Sequence, residues 1–460
     1  MATLFENNRP PLNLRRFYPL AGLPGQQQLW SWISFDVANQ SFTLIINTLL
    51  FSIFFSEVVV RNPAIDDRLW ALTYGASMLL CALLSPLAGA MADERAWKKR
   101  GLISTGIVCG VFTCGLALIQ PGQIWLAVLL YIPANFAFSV GENFLASFLP
   151  NLAASEKVGR VSGFSWACSY GAALLLLILT AAAMLLAKRA SPDQWRPFFV
   201  FAGLWFLVFL VPTLLWLREP EIPHKTHSGH NLWTIGFIRL AESAREISRY
   251  RDLALLLMAS LFYATGMSVV IFFASKLAAE FGFSQVNLVL FVAVITVSGI
   301  IGTVLPTLYQ DRFGHRRSTL FFLTLWMMTA AVFALYARGH EQNARIPGST
   351  PYPVWPLWVI GNLLGFGLGS LGSSNRAFVS YLAPAGKSAE TFGLWGMVFK
   401  LAAIMTFPFA WIKDVHGTPS ALWVLTGFLA VGWFLTLFVN ESRGHAAANA
   451  DALMTKPVES

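Results

Sequence analysis

The chain has 460 residues, of which 56% are hydrophobic and only 12% are charged. Soluble domains usually carry about 25% charged residues, so this composition argues against a soluble enzyme or binding domain. The net charge of +9 does not indicate nucleic-acid binding, because basic residues beside apolar segments set the orientation of a membrane protein.

Apolar segments long enough to cross a bilayer, which takes about 20 residues, recur along the whole chain. The sequence therefore predicts an all-α polytopic membrane protein with twelve transmembrane helices in two six-helix bundles. The predicted spans are 30–58, 69–91, 101–120, 123–148, 161–187, 196–217, 253–275, 286–309, 318–338, 354–381, 391–412 and 420–440. The predicted regions are an N-terminal segment 1–29, a first bundle 30–217, a linker 218–252, a second bundle 253–440 and a tail 441–460.

Ionisable residues interrupt four of these spans. Asp36 lies in the first span near Asn39, and Glu142 lies in the fourth beside Asn143. A charge near the centre of a bilayer costs about 2.5–3.5 kcal/mol on insertion scales, so we expect these side chains to face protein or a water-filled cavity. The other two ionisable residues are Arg376 in the tenth span and Lys400 in the eleventh.

The loops differ in positive charge. Those predicted on the side of the two termini hold 22 Lys and Arg residues, and those on the other side hold 9. This asymmetry predicts that both termini are cytoplasmic. No cleavable signal peptide is apparent, and we expect a cell inner membrane, or a vacuolar membrane if the protein is eukaryotic.

The linker 218–252 contains apolar residues at helical spacing between positions 233 and 247. This predicts an amphipathic helix that lies either on the membrane surface or against the bundle. His224, His227 and His230 repeat at intervals of three, but no cysteine or acidic ligand accompanies them, so we predict no metal site. The Ala-rich tail after residue 441 is predicted to be disordered.

Two stretches of the chain are similar to each other at an offset of 234 residues. Pro150 corresponds to Pro384, and the same offset places Glu142 on Arg376. We predict that Glu142 and Arg376 face each other across a twofold axis and close an inner gate as an ion pair; a static pair is the alternative. Asp36 is predicted to carry a proton or contact a substrate ammonium group, and Lys400 to hold a carboxylate or pair with an acid.

A second repeat lies in the loops GAMADERAWKKR (89–100) and LYQDRFGHRRS (308–318). Each follows a span that ends in Asp and continues into a basic cluster. The two loops resemble the signature Gly-x3-Asp-Arg/Lys-x2-Gly-Arg-Arg of the major facilitator superfamily. This resemblance implies that the Asp and its bases latch the two halves during rocking. The predicted gating residues are Gly89, Asp93, Asp311, Arg312, Arg316 and Arg317.

A narrower resemblance covers residues 30–440. WSWISFDVANQSF (30–42), NFLASFLPNLA, GRVSGFSWACSYG (159–171), NRAFVSYLAP and FGLWGMVFK (392–400) are similar to motifs of the vacuolar effluxer-like, autophagy-linked branch. The resemblance implies a secondary transporter that works by alternating access, with proton-coupled efflux of a small polar solute such as an amino acid. The alternative is a transporter-fold sensor or membrane assembly factor. No catalytic or nucleotide-binding motif is present, so we predict no enzyme activity and no cofactor.

Overall fold

A computed structural model describes residues 19–62, 65–186, 191–220, 250–283 and 285–454. It is built from long helices. Their bounds are α1 Gln26–Val60, α2 Asp66–Arg95, α3 Lys98–Gly115, α4 Ile124–Ser147, α5 Val158–Leu186, α6 Arg196–Trp216, α7 Arg251–Glu280, α8 Gln285–Phe313, α9 His315–Ala344, α10 Trp355–Leu382 and α11 Ser388–Ile404, followed by the run Phe407–Leu437 and by α13 Glu441–Met454. The predicted linker helix and the run of His224, His227 and His230 lie outside the described residues.

The described helices include 11 continuous runs apolar enough to span a membrane, and the last run contains two crossings. This run, Ser388–Leu437, has 50 residues, which is about 75 Å of helix against a hydrocarbon core of about 30 Å. Gly417 breaks it with φ 82°, a conformation that favours glycine. Lys413 and Thr418, on either side of the break, both bond to Glu280. The two ends of the run, Ser388 and Leu437, lie at the same end of the bundle, where they contact Lys98 and Arg316, so the chain reverses at the break. Residues up to 416 complete α11, residues 418–437 form α12, and the twelve-span prediction is confirmed.

Each half of the molecule has its own core of packed aromatic side chains. In the first half Phe51 stacks on Tyr131 with ring centroids 5.3 Å apart, and in the second half Phe273 meets Phe409 at 5.0 Å. Because lipid tails are as apolar as these rings, close packing and hydrogen bonds, rather than exclusion of water, hold such helices together. The two halves are therefore separately packed bundles that meet along one seam.

Close contact between α8 and α10 depends on glycine. A Cβ added at Gly365 would lie 2.5 Å from the carbonyl oxygen of Ile295, and one at Gly369 would meet the carbonyl oxygen of Gly299. These glycines therefore serve helix packing, because the two backbones touch with no side chain between them.

The seam between the halves joins α2 to α11 and α5 to α8. The loops α2–α3, α4–α5, α8–α9 and α10–α11 lie at one end of the bundle with α13, and we call this end the terminal face. Gly89 on α2 lies against the backbone of Ala389, and Gly393 on α11 lies against that of Ser85, where an added Cβ would be 2.5 Å from the carbonyl oxygen.

Replacing Gly89 with valine should force α2 away from α11 at the terminal face. We expect a cysteine introduced at Ser388, which is only 4% exposed, to become reactive to a membrane-impermeant thiol reagent in a background without the native cysteines. Gly75→Val is the matched control, because it lies on the same helix in open space. Equal labelling in both variants would contradict the close contact.

Two features differ from the sequence prediction. Residues 441–454 of the tail form a helix that packs on α7 and α10, where Arg443 donates to both carboxylate oxygens of Asp252 at 2.7 and 2.8 Å. The prediction of a disordered tail is therefore wrong for these residues. The second half of α1 contains π-helical turns over Phe42–Leu50 and Phe55–Val60, a form that often occurs at functional sites.

Candidate functional site

A buried ion pair lies where α1, α5 and α10 meet. The Arg376 Nη1 atom donates to Asp36 Oδ2 at 2.8 Å, and their side chains are only 5% and 12% exposed. The Ser165 hydroxyl donates to the same carboxylate oxygen at 2.6 Å. Asp36 belongs to the first half and Arg376 to the second. We call this ion pair the central pair, and it joins the two halves about two to three helical turns inward from the terminal face.

The guanidinium of Arg376 is held in a fixed orientation. Its Nε donates to the Ser162 hydroxyl and its Nη2 to the Ser162 carbonyl, both at 3.1 Å. The indole rings of Trp32 and Trp166 lie 4.9 and 5.8 Å from the guanidinium carbon. Hydrogen bonds and cation–π contacts of this kind offset part of the free-energy cost of burying a charge. An arginine without such partners would be strongly unfavourable at this position.

The predicted pairing of Glu142 with Arg376 is wrong. The Trp32 indole N–H donates to the Leu145 carbonyl on α4 at 2.6 Å and its ring lies over Arg376, so Trp32 connects α4 to the central pair. The partner of Arg376 is instead Asp36 on α1, which reaches it beside α5.

Glu142 and Lys400 form a second charged group near the central pair. Both are half-buried, and the Glu142 carboxyl interacts electrostatically with Lys400, Asp36 and Arg376. Cys81 lies within the electrostatic reach of both Glu142 and Lys400. Among the described residues neither Glu142 nor Lys400 forms an ion pair or a hydrogen bond. Two opposite charges thus share one interior region without neutralising each other by direct contact.

Amide groups complete this region. Asn39 is 1% exposed, and neither its amide nitrogen nor its oxygen has a hydrogen-bond partner among the described residues. Asn143 packs over Gly396, where no side chain intervenes, and its Nδ2 likewise has no partner in the described part of the chain. Buried amides usually bond to something, so both are candidates for contacting water or substrate.

The terminal face holds the first predicted gating loop against α11. Asp93 Oδ2 accepts the backbone N–H of Glu390 at 2.8 Å, and the ammonium group of Lys98 lies 3.0 Å from its other oxygen. Lys98 also donates to the Ser388 hydroxyl at 2.6 Å. A carboxylate at a helix N-terminus is stabilised by unpaired N–H groups and the helix dipole. Asp93 of the first half therefore binds the start of α11 in the second.

The second predicted gating loop makes the reciprocal contact. Asp311 at the end of α8 accepts the backbone N–H groups of Gly159 and Arg160 at 2.8 and 2.9 Å. Both N–H groups lie in the first turn of α5. Each aspartate thus binds the start of a helix in the other half of the molecule.

One further carboxylate in each half binds the N-terminus of a helix in the same half. Glu219 accepts the N–H groups of Lys98 and Lys99 at 2.8 and 2.7 Å, and burial raises the pKa of Glu219 despite these bonds. Glu441 binds the start of α9 in the same way, accepting the N–H groups of His315 and Arg316 at 2.9 and 3.1 Å. These four carboxylates show the structural relation between the halves that the loop repeat predicted.

The basic residues of the predicted gating set lie apart from the seam contacts. The Arg316 side chain donates to the Leu437 carbonyl at 2.5 Å within the second half, and Arg312 and Arg317 are exposed at the terminal face. Of that set, the structure brings Gly89, Asp93 and Asp311 to the contact between the halves.

Several site residues were not singled out from sequence. Ser162, Ser165 and Trp166 hold the central pair, and Lys98 and Ser388 support Asp93. Serines give little signal because they are common in apolar helices, whereas Trp166 lies in a stretch that was quoted only for its resemblance. Asn375, which directly precedes Arg376 in the chain, bonds to Ser260, Tyr263 and Trp395.

The solved structures that align with this chain include transporters. The proton:xylose symporter XylE aligns with a TM-score of 0.69 and 17% identity, covering 93% of this chain and 99% of its own. A bacterial homologue of the iron transporter ferroportin, in an outward-facing state, aligns with a TM-score of 0.62 and 16% identity, covering 90% and 98%. Twelve spans in two related halves, joined by reciprocal aspartate contacts, give this chain the fold of the major facilitator superfamily.

The family is equally clear. The chain belongs to the family described as vacuole effluxer Atg22 like, whose model matches residues 66–449. An uncharacterized MFS-type transporter, YxiO of Bacillus subtilis, is 23% identical over 386 residues, covering 82% of this chain and 85% of its own. Autophagy-related protein 22 of Yarrowia lipolytica is 24% identical over 457 residues, covering 82% and 76%. Family and fold are those of membrane transporters and not of enzymes.

Proposed function

We propose that this transporter exports amino acids from the cytoplasm and couples their movement to protons. The proposed substrate class rests on two opposite charges that do not contact each other, Glu142 and Lys400. An amino acid bears an ammonium and a carboxylate group, so it can bridge two such side chains: the ammonium binds Glu142 and the carboxylate binds Lys400. A substrate with only one charge leaves the other side chain without a partner in a region of low dielectric constant, which is costly.

The central pair supplies a site for the proton. Protonation of Asp36 removes its negative charge, and the attraction between Asp36 and Arg376 is lost. Because Arg376 contacts Asp36 and Ser162 of the other half, its release would loosen the seam beneath the terminal face. We assign the central pair, rather than Glu142 with Arg376, as the inner part of the gate, with Asp93 and Asp311 as its terminal-face part.

The excess of Lys and Arg in the terminal-face loops supports a cytoplasmic terminal face. The hydrogen bonds described here between the halves lie in the part of the bundle next to that face, which supports a state closed to the cytoplasm. The family's description as a vacuole effluxer supports efflux of solute out of the compartment that the membrane encloses.

Counterflow into proteoliposomes tests the substrate class. Vesicles loaded with a mixture of unlabelled amino acids should accumulate labelled amino acid, and vesicles loaded with an organic acid lacking the amine, or an amine lacking the carboxylate, should not. An imposed pH gradient should drive net movement if protons are coupled. Equal exchange with singly charged analogues would contradict the zwitterion assignment, and no exchange with any solute would favour a sensor or assembly factor.

A further inference from the structure

Two apolar grooves at the terminal-face end of the bundle have no role in the site described above. One lies between α7 and α11, with a volume of about 440 Å³, and the other lies among α2, α3 and α4, with a volume of about 520 Å³. They border the two helices that meet at Gly89, since the first groove runs along α11 and the second along α2. We propose that each groove binds an anionic phospholipid from the leaflet at the terminal face.

The α7–α11 groove has the length and lining of an acyl-chain site. Leu253, Leu257 and Met258 form one wall, and Leu394 and Leu401 lie on the other. From Lys387 to Leu401 the groove follows α11 for about 21 Å, which exceeds one leaflet's share of the hydrocarbon core, about 15 Å. Met258 is 50% exposed and Leu401 37%, so the groove opens toward the lipid-facing surface.

The mouth of this groove has the chemistry of a headgroup site. The Lys387 ammonium lies 5.6 Å from the ring centre of Tyr250, and both residues line the groove where α7 and α11 begin. Aromatic rings and lysines are typical of the membrane–water interface, and a cation there attracts a lipid phosphate.

The α2–α4 groove repeats the same arrangement with different residues. Its walls include Leu84 and Leu87 on α2 and Phe136 and Val140 on α4. At its terminal-face end the Arg100 guanidinium lies 5.9 Å from the ring of Trp97. Two grooves with apolar walls and a cation over an aromatic ring at the same end favour a ligand with one acidic head and long apolar chains.

Lipids in these grooves would flank the contact of α2 with α11 from both sides. Lys387 immediately precedes α11, whose first turn receives Asp93, and Arg100 lies in the first turn of α3, which receives Glu219. A bound headgroup would therefore hold the chain segments that support these carboxylate contacts. The assignment to the cytoplasmic leaflet rests on the orientation proposed above.

Native mass spectrometry of the purified transporter tests the proposal. With equimolar phosphatidylglycerol and phosphatidylethanolamine, we expect about two phosphatidylglycerol molecules to remain bound. Because one cation near a membrane surface changes lipid affinity about fivefold, Lys387→Gln and Arg100→Gln should each lower the preference about fivefold, and the double variant should lose it. Ala254→Phe fills the first groove without changing charge and should release one lipid.

Lys157→Gln is the matched control, because Lys157 is exposed on the terminal face outside both grooves. Soluble glycerol phosphate should not displace the lipid, since it lacks the chains. Equal retention of the two lipids, or the same loss in Lys157→Gln, would overturn the proposal. Lipid binding is measured without transport, so its failure is distinct from failure of the transport function.

Discussion

Asp36→Asn is expected to destabilise the transporter far more than any surface charge change. The substitution leaves the Arg376 guanidinium buried without a counter-charge, and breaking a buried ion pair in this way costs about 3–5 kcal/mol. Thermal unfolding of the purified protein measures the loss. The variant should also fail to transport, because no proton can bind at residue 36.

The double variant Asp36→Asn with Arg376→Met separates the two effects. Removing the orphaned charge should restore most of the stability, since a buried pair replaced by neutral residues is often close to neutral in energy. Transport should stay absent. Glu280→Gln is the control, because its partly exposed pair with Lys413 should contribute about 1 kcal/mol or less. A double variant as unstable as the sum of its singles would show that the two charges do not stabilise each other.

Lys400→Met is expected to reduce amino-acid exchange by about tenfold to a hundredfold while leaving the thermal unfolding of the protein unchanged. Loss of one charge-assisted contact with substrate accounts for this range, and Lys400 has no ion-pair partner among the described residues to be left behind. Glu142→Gln should have a similar effect through the substrate ammonium group. Counterflow of a labelled amino acid measures both.

The preference of each variant for singly charged analogues distinguishes loss of a substrate contact from loss of the folded structure. An amine without a carboxylate should compete better against the amino acid in Lys400→Met than in the unmodified protein, and an acid without an amine should do so in Glu142→Gln. Lys413→Met lies on the same helical run near Glu280 and should leave exchange intact. If both site variants lost activity with no change in analogue preference, the zwitterion assignment would be wrong.

The fold could be predicted because hydrophobic length is a local property of sequence. Twelve apolar runs and two aspartate loops were enough to predict the two bundles. The partner of Arg376 could not be predicted in this way. The repeat relates Glu142 to Arg376 as equivalent positions in two halves, but equivalence does not state which side chains face each other. That depends on how the helices pack, which brings Arg376 to Asp36 on α1.

The ordered structure of the C-terminal tail also depends on residues that are distant in sequence. Its Ala-rich sequence has no amphipathic pattern that would indicate packing. Arg443 is ordered by Asp252, nearly 200 residues earlier, and Glu441 by the backbone of α9. The π-helical turns of α1 left no signal in the sequence that we could identify. Contacts of this kind appear only when the helices are assembled.

The glycine contact between α8 and α10 has a mechanical consequence. Arg376 lies on α10 and Asp311 lies on α8, and the backbones of these helices touch at Gly365 and Gly369. Protein interiors are hard to compress, and no deformable side chain cushions this junction. We therefore expect the two helices to move as one rigid unit, so that Arg376 leaves Asp36 and Asp311 leaves the start of α5 in a single displacement.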